Sequence, residues 1–243
     1  MDELLTGSCI EFDHVVKNFP TVTALDDVSF KISCGDRYAL LGPNGAGKST
    51  TLKILVGLLK PTSGEAKIGG FDPTSTEAKR IFGYLPEDAY PYPTLTVREN
   101  IEYIAALRGI KDAYQRAGDL MSQLDLFEYE HSKVVTLSRG NRQKVSVALA
   151  IVHNPKIILL DEPLNYLDIP TQSAVIKLLE KLNASYFVST HIMEIATRLT
   201  KNVIILSHGK ITWQGSIKEL QDLATVDERI EDVVERIMTR GVS

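Results

Sequence analysis

A stretch of nine residues near the start of the chain has the residue types and the spacing needed to bind phosphate. Residues 42–50 read GPNGAGKST and fit the pattern G-x-x-x-x-G-K-[ST]. Glycines allow successive backbone N–H groups to surround phosphate oxygens, because no Cβ atom stands in the way. Lys48 can reach the β- and γ-phosphates of a nucleotide, and the Ser49 hydroxyl can bind Mg²⁺. The predicted nucleotide contacts are Gly42, Pro43, Asn44, Gly45, Ala46, Gly47, Lys48, Ser49 and Thr50.

The residues that flank this stretch have the patterns of a strand and a helix. The apolar run 38–41 leads into it as a short buried strand would. Leu52, Leu55, Val56 and Leu59 follow with helical spacing on one face. An ordinary glycine-rich turn before a core helix is the alternative, but the order strand, glycine loop, helix is typical of a phosphate-binding loop. The sequence therefore predicts binding of a nucleoside triphosphate, with the positive end of the helix directed at the anion.

Two acids follow a second apolar run later in the chain. Residues 157–160 show no polar alternation, which suits a parallel strand buried on both faces. Asp161 and Glu162 come at its carboxyl end, where open α/β sheets place their ligands. Acids after a strand are common, so the interpretation depends on the phosphate loop upstream. With that loop, Asp161 is predicted to hold Mg²⁺, directly or through water, and Glu162 to orient or deprotonate the attacking water.

Two further side chains have both a functional and a structural interpretation. Phe19 lies in a polar segment just before Pro20, where its ring could stack on a base or pack in the core. His191 follows the strand candidate 186–189 and could contact a γ-phosphate or be an ordinary structural histidine. The residues alone leave both pairs of alternatives open.

Composition indicates an ordinary globular protein. The 243 residues are 44% hydrophobic, and the net charge of −4 comes without a sustained block of Lys and Arg, so no nucleic acid partner is expected. Residues 1–5 are acidic where a signal peptide would be basic, and no apolar run approaches the roughly 20 residues needed to cross a bilayer. Cys9 and Cys34 form no CxxC pair and are expected to be reduced thiols. We therefore expect a cytosolic protein.

The order of the strand and helix patterns predicts a mixed α/β fold with a helical insertion. Segments 10–12 and 28–32 alternate as half-buried antiparallel strands do, and residues 33–36 are expected to be a hairpin turn. Residues 80–86 read as a buried strand. From Thr96, which opens a capping-box sequence, to about residue 152 the pattern is helical. These helices are therefore inserted between two strands of a sheet.

The chain ends in a hairpin and an amphipathic segment. Residues 203–210 predict a strand that leads into a hairpin turn. Val226, Ile230, Val233 and Ile237 then have helical spacing, with acids between them. This helix is expected to dock on its own domain or on a partner.

Six motifs and their order along the chain resemble those of the nucleotide-binding subunits of ABC transporters, over about residues 8–215. Residues 137–141, LSRGN, are similar to the signature motif that separates this family from other phosphate-loop ATPases. The other five, in chain order, are the adenine-stacking aromatic residue at Phe19, the Walker A motif at 42–50, the Walker B motif at 157–163, the D-loop at 165–168 and the switch histidine at His191.

The resemblance implies a single ABC ATPase domain over residues 1–243. Its α/β fold would be a P-loop NTPase (RecA-like) core with an antiparallel β subdomain and an inserted α-helical subdomain. The β subdomain and the core would occupy about residues 8–86 and 155–215. The helical subdomain would occupy about residues 88–154, and a helical tail about 216–243.

The resemblance also implies an ATPase with Mg²⁺ as its metal, and two kinds of partner. Ser138 and Gly140 would face the ATP of a second nucleotide-binding subunit, in a homodimer or heterodimer, with Ser138 capping the helix that follows. A separate transmembrane permease would place the chain in the cytoplasm, peripheral on the inner face of the cell membrane. Within the subunit, the implied catalytic residues are Lys48, Glu162 and His191, with Phe19 on the adenine and Asp168 in the nucleotide site.

Three departures from the family pattern concern the direction of transport and the binding of the metal. Arg139 and Asn141 replace the third and fifth residues of the usual Leu-Ser-Gly-Gly-Gln signature, and Glu87 stands where glutamine is usual. Glu87 is expected to join Ser49 and Asp161 around Mg²⁺, and the alternative is an exposed loop carboxylate without a role. These variants are similar to those of the ATPases of ABC-2-type exporters, so export is the expected direction.

Three other functions remain possible from the sequence. The chain could belong to an importer of the same family. It could be a soluble ABC ATPase acting on ribosomes or DNA, although such chains usually carry two such domains or long coiled coils. It could also bind ATP without turnover, which the presence of Glu162 and His191 argues against.

Overall fold

The computed structural model describes residues 7–165, 167–225 and 228–240. The acidic start (residues 1–5), Tyr166 of the D-loop and Val226 of the tail pattern lie outside the described residues. The strands are β1 (Ser8–Phe19), β2 (Val22–Ser33), β3 (Arg37–Leu41), β4 (Ser63–Ile68), β5 (Phe82–Leu85), β6 (Ile157–Asp161), β7 (Ser185–Thr190), β8 (Asn202–Ser207) and β9 (Lys210–Ser216).

Helices surround these strands and fill the insertion. In this part of the chain, no helix combines the length and the apolar character that a membrane span requires. The helices are α1 (Lys48–Leu55), α2 (Thr76–Ile81), α3 (Val97–Leu107), α4 (Ala113–Gln123), α5 (Arg139–Ile151), α6 (Ile169–Lys181), α7 (Met193–Leu199), α8 (Ile217–Asp222) and α9 (Ile230–Arg240), with short 3-10 turns at Phe127–Tyr129 and Val134–Thr136.

The strands form two sheets, as the predicted fold class requires. A three-stranded antiparallel sheet has the order β2-β1-β4, and a six-stranded sheet has the order β5-β6-β7-β3-β8-β9. Strands β5, β6, β7, β3 and β8 run parallel, and β9 returns as a hairpin. Every residue of β6 is buried, which explains its lack of polar alternation. The predicted α/β fold and the predicted buried strand at 157–160 are confirmed.

The segment 33–36 connects the two sheets, so the predicted hairpin turn is wrong. Strand β2 pairs with β1 in the antiparallel sheet, whereas β3 lies in the parallel sheet between β7 and β8. Two hydrogen bonds attach the segment to β7: Gly35 N donates to Ser185 Oγ at 2.8 Å, and Tyr186 N donates to the Asp36 carbonyl oxygen at 3.1 Å. A turn-forming sequence does not reveal which strand receives the chain after it.

The two cysteines form a disulfide, so the expectation of reduced thiols is wrong. The Cα atoms of Cys9 and Cys34 lie 4.8 Å apart. Antiparallel pairing of β1 with β2 puts Ser8 opposite Ser33, which brings the two neighbouring cysteines together. A backbone hydrogen bond of 3.2 Å from Cys34 N to the Gly7 carbonyl oxygen holds this end of the pair. Residue counts and CxxC spacing carry no information about such a cross-strand register.

The helical insertion begins at the predicted capping box. The Thr96 side chain accepts the Glu99 N–H, and the Glu99 carboxylate accepts the Thr96 N–H at 2.7 Å. Buried Val97, Ile101 and Ala105 pack α3 into a core shared with α4 and α5. Strand β5 begins only at Phe82, because residues 80 and 81 close helix α2. The predicted strand at 80–86 is therefore shorter than expected.

The last helix packs on its own domain. Val233 and Ile237 of α9 are fully buried against Val203 and Ile205 of β8. The Ser207 hydroxyl at the end of β8 also donates to the Met238 carbonyl oxygen at 3.0 Å. The tail is expected to dock on its own domain or on a partner, and the described residues show that it docks on its own domain.

A half-buried histidine lies where the helical insertion meets the parallel sheet. His153, just after α5, has its Nε2 atom 3.0 Å from the Phe82 carbonyl oxygen, while its Nδ1 atom is buried without a partner among the described residues. Burial and the positive charge of Arg108 lower the pKa of His153 to about 4. The neutral ring therefore donates Nε2–H to this carbonyl, and protonation opposes folding.

We expect the free energy of unfolding to fall as pH is lowered from 6.5 to about 4. Over this range the unfolded chain takes up a proton on His153 and the folded chain does not. One such proton changes the free energy by at most about 1.4 kcal/mol per pH unit. His153→Gln keeps an N–H donor without the charge, so its decline should be shallower in urea unfolding measured across this range. Identical slopes for the two proteins would contradict the assignment.

Candidate active site

Four loops meet in one cavity at the carboxyl edge of the parallel sheet. They follow β3, β5, β6 and β7, and the cavity has a volume of about 690 Å³. Its position agrees with the rule that open α/β sheets bind ligands beyond the carboxyl ends of their strands. The lining residues are Ala24, Asn44, Gly45, Gly47, Lys48, Ser49, Thr50, Glu87, Asp161, Glu162, Asn165 and His191.

The loop between β3 and α1 needs glycine where its backbone touches neighbouring strands. A Cβ atom on Gly42 would lie 2.3 Å from the Leu206 carbonyl oxygen of β8. Gly47 has a φ of 110°, and a Cβ atom there would lie 2.6 Å from the Ala24 carbonyl oxygen. Gly47 is also the N-cap of α1 and offers no side chain to its first N–H groups. These N–H groups can therefore bind an anion in the cavity.

The ammonium group of Lys48 lies over this loop. Lys48 is 6% exposed, and its Nζ atom donates to the Gly42 carbonyl oxygen at 2.8 Å and to the Pro43 carbonyl oxygen at 3.1 Å. Burial lowers the pKa of Lys48, and the nearby carboxylates of Glu162, Asp161 and Glu87 oppose this shift. The cavity thus has a positive group from the loop after β3, and acids from the end of β6 and from the loops after β5 and β6.

The acids and Ser49 offer oxygen atoms suited to a hard cation. Asp161 is 2% exposed, and the Ser189 hydroxyl of the neighbouring strand β7 donates to its Oδ1 atom. Burial, together with Asp161 and Glu162, raises the pKa of Glu87. In the described part of the chain, no three acids, histidines or cysteines converge closely enough to form a metal cage. This fits Mg²⁺, which is usually held by one or two carboxylates together with substrate phosphates.

Glu162 is held in a defined orientation by His191. The Glu162 Oε1 atom lies 2.8 Å from His191 Nδ1, while Oε2 is buried and has no partner in the described part of the chain. The backbone of Glu162 adopts a left-handed conformation with a φ of 48°, and its N–H donates to the Ser189 carbonyl oxygen at 3.1 Å. Only a few per cent of residues other than glycine adopt this conformation, and they cluster at functional sites. Glu162 therefore has one fixed carboxylate oxygen and one that can accept a proton.

Several of the residues expected from sequence lie outside the cavity lining. Phe19 is 39% exposed at the end of β1, with the Lys17 ammonium 5.1 Å from its ring centre. Gly42, Pro43 and Ala46 belong to the loop but do not line the cavity.

The signature and D-loop residues cap helices instead. The Ser138 hydroxyl accepts the Asn141 N–H at 3.2 Å at the start of α5, and Gly140 is half-buried in the first turn of that helix. The Asp168 carboxylate accepts the Thr171 N–H at 2.9 Å at the start of α6.

Two lining residues were not selected from the sequence. Ala24 reaches the cavity because β2 lies against the phosphate loop, a contact between two sheets for which the sequence has no signal. Asn165 follows Glu162 by three residues, and its N–H donates to the Glu162 carbonyl oxygen at 3.3 Å. Its place in the D-loop motif was the available signal.

Comparison with known proteins gives consistent results. The model of a family described as ABC transporter matches residues 25–165. The ABC transporter ATP-binding protein YhaQ of Bacillus subtilis is 35% identical over 218 residues, which cover 87% of this chain and 72% of that protein. A solved structure of an ATP-binding subunit of an ABC transporter is 28% identical, with a TM-score of 0.84, and covers 94% of this chain and 100% of that one.

A second similar structure is a dimer that contains the products of ATP hydrolysis. It is described as a dimeric post-hydrolysis state of the ATP-binding cassette MJ0796 bound to ADP and Pi. It is 28% identical to this chain, with a TM-score of 0.79, and covers 86% of this chain and 98% of that one. Relatives named for import and relatives named for export both match, at 34% and 33% identity.

Adding one methyl group to Gly42 should destabilise the protein, because the new Cβ atom meets backbone rather than a flexible side chain. We expect Gly42→Ala to lower the free energy of unfolding by about 1–3 kcal/mol, the usual cost of overpacking. Gly118→Ala is the matched control, since a Cβ atom at Gly118 in helix α4 meets nothing within 4 Å. The control should gain up to about 1 kcal/mol from helix propensity. The free energies of unfolding are measured in urea. A Gly42→Ala protein as stable as wild type would contradict the packing argument.

Proposed function

Because this chain belongs to the ABC transporter family as an ATP-binding subunit, we propose that it hydrolyses ATP as a dimer and thereby drives export through a separate transmembrane permease. The observation that carries the proposal is the pair formed by Glu162 and His191. One carboxylate oxygen of Glu162 is fixed by His191, and the other is buried in the cavity wall with no partner among the described residues.

The proposed reaction transfers the γ-phosphoryl group of ATP to water. Glu162 Oε2 orients the water and accepts its proton, which is general base catalysis. His191 is a positioning residue for Glu162 and, with its side chain 44% exposed, can also contact the γ-phosphate. Lys48 and the N–H groups of the phosphate loop compensate charge on the phosphates. The exposed ring of Phe19 is proposed to stack on the adenine.

Mg²⁺ is proposed to bind between the phosphates and the acidic side of the cavity. Ser49, Asp161 and Glu87 all line this cavity and present oxygen atoms. The metal would compensate charge on the phosphates and orient them. Asp161 is kept in place by the Ser189 hydroxyl, and Glu87 lies on the loop after β5. Glu87 would supply a charged oxygen where glutamine would supply a neutral one.

A second nucleotide-binding subunit is proposed to complete each site. Ser138 and Gly140 lie outside the cavity of their own chain, at the start of α5. The Ser138 hydroxyl caps this helix by accepting the Asn141 N–H. The N-terminus of the helix can bind an anion, but the phosphate loop of the same chain lies elsewhere. A two-fold dimer would place this N-terminus over the partner's ATP, in agreement with the dimeric state of the MJ0796 relative.

The permease is proposed to bind beside the loop that carries Glu87. A groove of about 380 Å³ lies between the parallel sheet and the helical insertion, next to this loop. Its lining includes Leu58 and Tyr90, which are 65% and 87% exposed, as well as Pro91. Exposed apolar groups of this kind mark protein interaction sites. Residues 86–91 connect the active site with the groove, and a permease bound there is proposed to hold the chain at the inner face of the membrane.

The direction of transport rests on the resemblance to ABC-2-type exporters. Relatives of both directions match equally well, so export depends on Glu87 and on the Ser-Arg-Gly form of the signature at 138–140. An importer would use the same catalytic chemistry with a different permease.

Glu162→Gln should retain ATP binding and lose turnover. Removing a general base typically costs about 10²–10⁴-fold in rate. The variant should also accumulate an ATP-bound dimer, measurable by size exclusion, because the γ-phosphate is not removed. Lys48→Ala is the control and should lose nucleotide binding or turnover without trapping a dimer. Turnover of Glu162→Gln within a few-fold of wild type would remove Glu162 from this role.

Glu87→Gln should remain active but require about tenfold more Mg²⁺ for half-maximal ATPase, a typical effect of changing a group around a metal. The matched control is Asp88→Asn, which removes a charge one residue further along, outside the cavity lining. The control should follow the wild-type Mg²⁺ titration. Superimposed titrations for Glu87→Gln, Glu87→Ala and wild type would show that Glu87 is a loop carboxylate without a role.

Purification from native membranes should recover the chain with a transmembrane permease, and the complex should have a higher ATPase rate than the chain alone. Tyr90→Ala should weaken this association because it removes the most exposed aromatic group of the groove. Tyr114→Ala is the control, since Tyr114 is 67% exposed and lies outside the groove. A chain that stays in the cytosolic fraction and sediments with ribosomes would contradict the transport function.

A further inference from the structure

A second cavity lies directly beside the candidate active site. It has a volume of about 320 Å³ and separates the phosphate loop from helix α9. Its lining includes Asn44 and His191, which also line the active-site cavity. The two cavities therefore open on the same surface of the molecule, and a protein that covers one of them also reaches the other.

The lining of this cavity is largely apolar. Met193 follows His191 at the start of α7, and Val234 and Met238 come from α9. Val234 is 6% exposed, and Met193 is 5% exposed. Apart from Asn44 and His191 on the side of the active site and two acids of α9, the lining is apolar, which suits an aliphatic side chain.

The same chain exposes an aliphatic side chain next to its D-loop. Ile169 is the first residue of α6 and is 74% exposed, the largest exposure of any aliphatic residue among the exposed hydrophobic groups described. It directly follows Asp168, whose carboxylate caps the helix. None of the described residues buries this side chain, although Leu164 and Leu167 just before it are buried.

A hydrogen bond and shared core packing link the segment before Ile169 to helix α5. Gln143 on α5 donates from Nε2 to the Pro163 carbonyl oxygen at 3.0 Å. Leu164 and Leu167 pack in the same core as Val145 of α5. Helix α5 and the segment that leads into α6 are therefore packed together, so a partner subunit that lies under the start of α5 lies close to the start of α6 as well.

We propose that in the ATP-bound dimer Ile169 of each subunit enters the partner subunit's cavity between the phosphate loop and α9. The proposal rests on the proposed function, because that function places the start of α5 over the partner's active site. Two-fold symmetry then produces two identical contacts, each pairing an exposed side chain with a cavity. Helix α9 thereby becomes part of the dimer interface.

The charges beside the two halves of this contact are complementary. Glu231 and Glu235 of α9 line the cavity. On the other half, hydrogen bonding from Thr171 lowers the pKa of Asp168, and the positive charge of Lys144 on α5 acts in the same direction. Lys144 therefore offsets the charge of the Asp168 carboxylate beside Ile169, whereas two acids line the cavity. Such an arrangement favours the second copy of this chain as the occupant.

The first test measures the ATP-dependent dimer of the Glu162→Gln protein by sedimentation velocity. Adding Ile169→Asp should raise the dimer Kd at least about tenfold, because a carboxylate would be buried among apolar and acidic groups. Ile169→Val should retain the wild-type Kd within a few-fold. Leu107→Asp is the matched control, since Leu107 is 65% exposed on the helical insertion, outside both cavities, and its Kd should not change.

The second test is a cross-link between subunits. Ile169→Cys combined with Met238→Cys in the Glu162→Gln protein should form an interchain disulfide under mild oxidation only when ATP is present. Leu107→Cys combined with Met238→Cys should not. A parent protein that fails to dimerise with ATP overturns the proposed function and this contact with it. A parent that dimerises, with an unchanged Kd for Ile169→Asp and no cross-link, overturns the contact alone.

Discussion

Parallel pairing of β3, β6 and β7 is the constraint on which the rest of the structure depends. Leu41 of β3 pairs with Thr190 of β7, and Asp161 of β6 pairs with Ser189 of β7. In this register the phosphate loop, the two acids and His191 all begin at one level of the sheet. A shift of a single residue would turn alternate side chains to the other face and separate these groups.

Three acidic side chains lie close together at this edge of the parallel sheet. Glu87, Asp161 and Glu162 line the cavity with Lys48 as the cation that faces them from the loop, and the raised pKa of Glu87 results from burial and from its two acidic neighbours. A divalent cation would relieve this repulsion and bring the phosphates with it. The proposed Mg²⁺ requirement and the proposed role of Glu87 therefore have a common electrostatic cause.

Motifs whose spacing is local could be predicted from the sequence, and contacts set by long-range pairing could not. The phosphate loop, strand β6 and the Thr96 capping box depend on a few neighbouring residues, and each lies where expected. The disulfide of Cys9 depends on the register between β1 and β2, and the connection at 33–36 depends on which sheet receives β3. The position of α9 beside the phosphate loop likewise needs the whole domain.

We propose that one chain holds only half of the machinery for each ATP, since Ser138 and Gly140 lie outside the lining of the cavity that contains Glu162. The most direct test is the ATPase rate per molecule of the purified wild-type chain, measured over a wide range of protein concentration at saturating ATP and Mg²⁺. We expect the rate per molecule to rise with protein concentration and to reach a plateau as dimers form. A constant rate per molecule down to concentrations at which the chain sediments as a monomer would contradict it.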